Sequence, residues 1–333
     1  MPDPGTGPLQ IDFQPAAARA RLLDDPRTLV VFGFGATPDP HPDPRWLHLP
    51  LEQAGPPMLE VWRSPREVTC ATDGALRQAG DGQLQFTSLV VEEDPADLAA
   101  SVARAYAQLA ARVAAGPYPH LLRTWNYLDA ITAGEGDNER YRRFCVGRAR
   151  GLGQGLDERA LPAATCIGRY DGRRVIQLAA LSARHPGRPV ENPRQLSAWR
   201  YPRQYGPQAP SFARAMLPPP GLPMPLLLSG TAAIVGHASR HADSVQDQVD
   251  EILANLDSLV ASARQHMPHL PAALGRGSPL KVYVRDRADM AAVQARLAAR
   301  LDPGVPRLML LAEVCRRELR VEIDGVHAPA GAG

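Results

Sequence analysis

The sequence predicts an α+β protein in which mixed sheets carry their helices packed on one face. Three observations point there: short apolar runs that alternate or stop at glycine, apolar residues at i, i+3, i+4 spacing, and one element order that recurs in both halves of the chain. With 333 residues, 44% of them hydrophobic and 22% charged, the chain can bury a sizeable core. Its 34 Pro and 28 Gly make 62 of 333, below the roughly 25–30% that marks a disordered chain, so a folded protein with many loops is expected.

Taken in order, residues 1–25 read as a frayed start, 29–34 as a buried strand and 38–44 as a surface excursion. Residues 86–91 follow as a strand. Asp94-Pro95 reads as an N-cap and first-turn pair before a helix striped by Leu98, Val102, Leu109 and Val113. A strand over 120–128, a shorter helix over 138–151 and a closing pair of strands over 162–167 and 174–181 complete the first half. In the second half, Leu226-Leu227-Leu228-Ser229-Gly230-Thr231 is an apolar run ending at a turn. Asp243-Ser244-Val245-Gln246 opens a helix over 243–264 with Val245, Val249, Ile252, Leu256, Leu259 and Val260 on one face. A strand over 281–286, a helix striped by Met290, Val293 and Leu297, and strands over 307–314 and 318–323 follow; the tail after Val326 reads as frayed. Strand, helix, strand, helix, strand, strand thus occurs twice.

Between the copies, 182–225 is irregular and rich in proline, with the run Pro218-Pro219-Pro220. It also carries Tyr201, Arg203, Tyr205, Ser211, Phe212 and Arg214, too many large side chains for a flexible tether. The expected organisation is an N-terminal unit over 1–181, an ordered connecting segment over 182–225 packed across both units, and a C-terminal unit over 226–333.

A net charge of +2 from 37 basic and 35 acidic residues leaves no global field for nucleic acid or an anionic membrane. No window reaches the roughly 18 apolar residues of a membrane span, and the start lacks a secretory signal. Cys70, Cys145, Cys166 and Cys315 form no CxxC pair, which argues against zinc or a disulfide framework and for a reducing cytoplasm. Lys281 is the sole lysine, so any lysine-dependent chemistry rests on it, and the other cations are planar forks suited to carboxylates. His237 and His241 lack a third ligand at metal spacing, and the glycines at 134–136 and 151–155 lack the strand and helix context of a nucleotide loop. No metal and no cofactor is expected.

The C-terminal unit resembles the YjgF/RidA superfamily in Leu228-Ser229-Gly230, in the helix with Gln248 and Asn255-Leu256, in strand 281–284 and in Val321-Glu322-Ile323. That superfamily places small-molecule sites in clefts between like units, and the resemblance implies two fused YjgF/RidA-like (chorismate-mutase-like) units. The longer span 120–325 resembles a narrower family, the chorismatases, which release pyruvate from chorismate. The segments that carry this are Arg123-Thr124-Trp125-Asn126-Tyr127, Glu139-Arg140-Tyr141 through Gly147-Arg148, Leu161-Pro162-Ala163-Ala164-Thr165, Tyr201-Pro202-Arg203-Gln204-Tyr205-Gly206-Pro207, Pro210-Ser211-Phe212-Ala213-Arg214, Ser229 through His237, Val314-Cys315-Arg316 and Val321-Glu322-Ile323.

By this resemblance Tyr141, Arg148, Tyr201 and Arg214 are substrate binders, with Arg203 and Tyr205 as further candidates. Chorismate carries two carboxylates, and two separated forks with hydroxyl donors suit it. Tyr141 and Arg148, seven apart on a predicted helix, share a face. From pattern alone Glu322 reads as a solvent-facing strand residue; the resemblance instead makes it the general acid that protonates the enol ether. Cys315 stands where a cysteine accompanies hydroxybenzoate-forming members, although a free cysteine is more commonly a small buried hydrophobe. Ala233 departs from the glycine of members that make only 3-hydroxybenzoate, so the pair resembles the bifunctional group that makes 3- and 4-hydroxybenzoate. Two alternatives stay open: a hydrolytic chorismatase giving a dihydroxycyclohexadiene carboxylate, and a RidA-type enamine or imine deaminase or non-catalytic binding protein. The chain would act as a monomer or a homo-oligomer such as a trimer.

Overall fold

A computed structural model describes residues 7–153 and 157–329. The chain opens with β1 (Gln10–Pro15), α1 (Arg19–Asp24), β2 (Thr28–Phe34), β3 (Trp46–Leu49), β4 (Glu52–Ala54) and β5 (Met58–Arg63). Four of these strands form a sheet of order β1-β5-β2-β3. Described residues of the start expected to fray are therefore ordered: β1 pairs along its length with β5, and α1 buries Leu22 and Leu23.

Next come β6 (Thr69–Asp73), β7 (Leu76–Gly80), β8 (Leu84–Glu92), α2 (Leu98–Ala115), β9 (His120–Asp129), α3 (Arg140–Leu152), β10 (Ala163–Arg169) and β11 (Val175–Ala183). The last stretch runs β12 (Arg188–Val190), β13 (Ala215–Leu217), β14 (Leu226–Ala232), a small hairpin of β15 (Ile234–Val235) and β16 (Ala238–Ser239), α4 (Val245–Arg264), β17 (Leu280–Val284), α5 (Met290–Arg300), β18 (Arg307–Leu311) and β19 (Val321–His327). The second sheet reads β6-β7-β8-β11-β9-β10 and the third β12-β13-β14-β19-β17-β18, extended by β4 at its edge. Position for position these are one topology, each with a single parallel pair joined by a crossover helix, β9 with β10 and β17 with β18. The segment 182–225, expected to connect two units, thus supplies the first two strands of the third sheet.

Several boundaries move for local reasons. The first long helix is capped by Asp97, whose side chain accepts from the Ala100 N–H, while Asp94 instead accepts from Ala96 N–H in the turn before it. Ser244 caps α4 by accepting from the Asp247 N–H. The final strand begins at Val321 because Arg316 to Leu319 form a turn closed by a 3.1 Å backbone bond, with Gln248 donating to the Glu318 carbonyl at 2.8 Å. It then continues past 323 through Asp324, a charged residue that reads from sequence as a strand end. The expected frayed tail shortens accordingly, with 330–333 outside the described residues. Part of the glycine stretch 151–155 also lies outside them.

The helices cover the outer faces of the second and third sheets. Leu98, Val102, Leu109 and Val113 of α2 pack with Phe144 of α3 and Leu178 of β11, and α4 and α5 bury Ile252, Leu256, Leu259, Val293 and Leu297 against the third sheet. Helices α2 and α3 approach closely at Gly147, where a Cβ would strike the Ala99 carbonyl and the Val102 side chain. The inner faces of all three sheets meet in one further core, with Phe32 and Trp62 from the first, Trp125 and Phe86 from the second, and Leu227, Tyr283 and Leu310 from the third. Among the described residues no helix is long and apolar enough to cross a membrane.

Candidate active site

Edge strand β10 of the second sheet meets β14 of the third. The Ala164 N–H donates to Ser229 Oγ at 2.9 Å, Ser229 Oγ donates to the Ala213 carbonyl at 2.6 Å, and Ala163 bridges Ala213. Beside this seam lies a cavity of about 320 Å³. It is walled by α3, β10, the segment 201–214, β14, the turn after β18 and β19.

Two guanidiniums reach it from different elements, Arg148 from α3 and Arg214 from the segment before β13. Arg148 is 3% exposed; its carbon lies 5.3 Å from the Tyr106 ring centre, its Nη2 meets Thr124 Oγ1 at 3.4 Å, and its Nε has no partner. Arg214 is 4% exposed, donates from Nη2 to Tyr201 Oη and to the Leu196 carbonyl at 2.8 Å each, and likewise leaves Nε unpaired. A buried guanidinium with spare donors is costly unless a ligand completes it, which makes the pair suited to an anion with two charged ends. A third cation, Arg316, stands 3.9 Å over the Tyr205 ring and 5.1 Å over Tyr201, anchored by the His237 carbonyl at 2.9 Å.

Between these groups lies Glu322, 5% exposed, its carboxyl resting over Gly230. Burial, reinforced by Asp324 and opposed by Arg214, pushes its pKa up to about 8. Burial and the nearby Glu322 also raise the Cys315 thiol far above its ordinary range, so it stays protonated at neutral pH. Tyr141, stacked on Phe144 with ring centres 6.3 Å apart, is likewise held neutral by burial.

Of the residues singled out from sequence, Glu322, Cys315, Tyr141, Arg148, Tyr201, Tyr205 and Arg214 all line this cavity. Two do not. Arg203 sits outside on an exposed 3-10 turn, paired through both terminal nitrogens with Asp137 at 2.5 and 2.9 Å. Ala233 is fully buried in the core against α4, because it follows the end of β14 and points away from Ala232, which does line the cavity. His237 and His241 part company, the first meeting Tyr205 Oη at 3.1 Å and the second Glu251 at 3.3 Å. Sequence reasoning gave no role to Arg316, Thr165, Cys166, Ser211 or Gly230; most lie in the same motif segments, so proximity in sequence to assigned residues was the available signal.

Comparison with known proteins identifies the family. A model described as chorismatase FkbO/Hyg5-like, N-terminal, matches residues 60–182. A chorismatase of Streptomyces hygroscopicus is 36% identical over 276 residues, covering 81% of this chain and 79% of the relative. The chain belongs to the chorismatase family. A 3-hydroxybenzoate synthase from the same organism is 33% identical over 279 residues, 81% of each chain. A chorismatase crystal structure superposes with a TM-score of 0.84 at 31% identity, covering 96% of this chain and 98% of that one. The protein is accordingly a chorismate-cleaving enzyme, and the fused-repeat α+β fold expected from sequence is the chorismatase fold.

Proposed function

We propose that this chorismatase converts chorismate to pyruvate and a hydroxybenzoate, with Glu322 as the general acid. The observation that carries the reading is a buried carboxyl, its pKa raised by burial, enclosed with two incompletely paired guanidiniums in one cavity. Arg148 and Arg214 take the two carboxylates of the substrate, and Tyr201, held by Arg214, offers its hydroxyl beside them. Tyr141 and Tyr205 complete the wall.

Glu322 delivers its proton to the terminal methylene of the enolpyruvyl group, leaving a carboxylate and an oxocarbenium. The bond between ring carbon and ether oxygen then breaks, and its electrons complete the carbonyl of pyruvate. Attack by the ring's own 4-hydroxyl, whose proton returns to Glu322, gives an arene oxide that opens to 3-hydroxybenzoate. Loss of the C4 ring proton to the Glu322 carboxylate instead gives 4-hydroxybenzoate and restores the acid. Neither route consumes water. Cys315, a protonated thiol in the same cavity, can relay a proton during ring opening, and the 3-hydroxybenzoate synthase relative supports the aromatic outcome.

The test is incubation with chorismate, pyruvate being coupled to lactate dehydrogenase and the ring products separated by chromatography. Pyruvate with 3- or 4-hydroxybenzoate is the expected result. Pyruvate with only a non-aromatic diene acid would assign the hydrolytic reaction instead.

A further inference from the structure

The only lysine of the chain lies at its centre. Lys281, 2% exposed on β17, donates to Glu60 of β5 at 2.5 Å and faces Asp324 of β19 at 3.3 Å. The other oxygen of Asp324 accepts from Thr165 Oγ1 at 2.7 Å, from Arg123 of β9 at 3.0 Å and from Tyr283 at 3.3 Å. Two cations and two carboxylates, contributed by all three sheets, therefore form one buried neutral set. Such a set is a poor source of stability, since desolvating four charges costs about as much as their attraction returns. Its retention points to a functional role.

The strand register supplies one. On β19, Glu322 and Asp324 are two apart and share a face, with Tyr283 opposite the first and Lys281 opposite the second. Thr165, which holds Asp324, also lines the cavity of Glu322. We propose that the Lys281, Glu60 and Arg123 cluster holds Asp324 on the strand face it shares with Glu322, so that Asp324 is a positioning residue for the catalytic acid. The inference rests on the role given to Glu322 above.

Other groups face Glu322 as well. Arg214, just before β13, favours its ionised form, and Arg148, Tyr141 and Cys145 of α3, Cys166 of β10 and Cys315 share its cavity. Glu139, Arg142, Tyr201, Tyr205, Arg316, Arg317 and Glu318 also line it. Burial is the largest influence against ionisation of Glu322, and the neighbouring Asp324 on the same strand face adds to it while Arg214 opposes it.

The experiment is the pH dependence of kcat/KM for pyruvate release. In the unmodified enzyme activity falls as Glu322 loses its proton, with a midpoint near 8. Asp324→Asn removes the neighbouring charge and should move that midpoint down by about one pH unit. Glu60→Gln, whose amide oxygen can still accept from the Trp62 indole, frees Lys281 to neutralise Asp324 and should move it the same way by less. Thermal melts verify that each variant is folded, and a merely structural role would lower Tm without moving the midpoint. An unmoved midpoint in either folded variant overturns the proposal. Glu322→Gln separates the two readings: near-normal turnover there would refute the acid itself, whereas a dead Glu322→Gln with an unmoved midpoint in Asp324→Asn refutes only the cluster's role.

Discussion

Gly230 and Glu322 are built against each other. A Cβ on residue 230 would overlap Oε1 of Glu322 and lie 2.9 Å from its Cδ. The β14 and β19 register slips between Leu228 and Thr231, and this irregularity puts the glycine backbone under the carboxyl. Gly230→Ala should therefore displace the acid and lower kcat by about 100-fold, the scale of a misplacement near 1 Å. Circular dichroism and Tm close to those of the unmodified protein, with kcat unchanged, would show that the carboxyl does not need this position.

Replacing either clamp tests the two-fork reading. Arg148→Lys or Arg214→Lys keeps the charge but loses the planar fork, and loss of a charge-assisted hydrogen bond of about 2 kcal/mol corresponds to roughly a 30-fold fall in kcat/KM. In Arg214→Lys the Tyr201 hydroxyl also loses its donor. Steady-state kinetics with chorismate would read the change, and wild-type kcat/KM in both variants would remove the guanidiniums from substrate binding.

Cys315→Ala should alter the ratio of 3- to 4-hydroxybenzoate more than the rate of pyruvate release. The thiol is protonated and lies beside the acid, so its contribution falls on ring opening, after the ether bond has broken. Chromatography of the ring products decides, and an unchanged ratio would leave Cys315 as packing.

Glu322 should also leave a mark on stability. Its folded pKa, about 8, lies above that of an unfolded carboxyl, so the folded state holds a proton that the unfolded state has released. The stabilisation is complete below the unfolded pKa and is lost as pH rises towards about 8. Glu322→Gln abolishes this loss, so its Tm advantage over the unmodified enzyme should grow from pH 5 to pH 8. Parallel Tm profiles for the two proteins would contradict the raised pKa.

Lys281→Met should destabilise the fold by about 3–5 kcal/mol, because it leaves Glu60 and Asp324 without their shared cation in the interior. Urea unfolding measures the change. A loss under about 1 kcal/mol would mean that the carboxylates relax to water or take up a proton at little cost.

The linear sequence was enough to reveal the repeated strand and helix order, because periodicities of 2 and 3.6 follow from local backbone geometry and survive whatever packs around them. It also identified Tyr141, Arg148, Tyr201, Tyr205, Arg214, Cys315 and Glu322 as a group, through motif segments whose residues converge on one cavity. It could not show that β1, β2, β3 and β5 form a sheet of their own or that β12 and β13 belong to the second repeat, since strand pairing is settled by partners far along the chain. It ranked Arg203 behind Arg214 only by resemblance, and the fold is what turns the first of these two forks to solvent and the second inward. The largest difference lies at Lys281, Asp324 and Glu322. A charged residue in an alternating pattern reads as exposed, and only the meeting of three sheets decides that all three are buried and that Lys281 and Asp324 are paired.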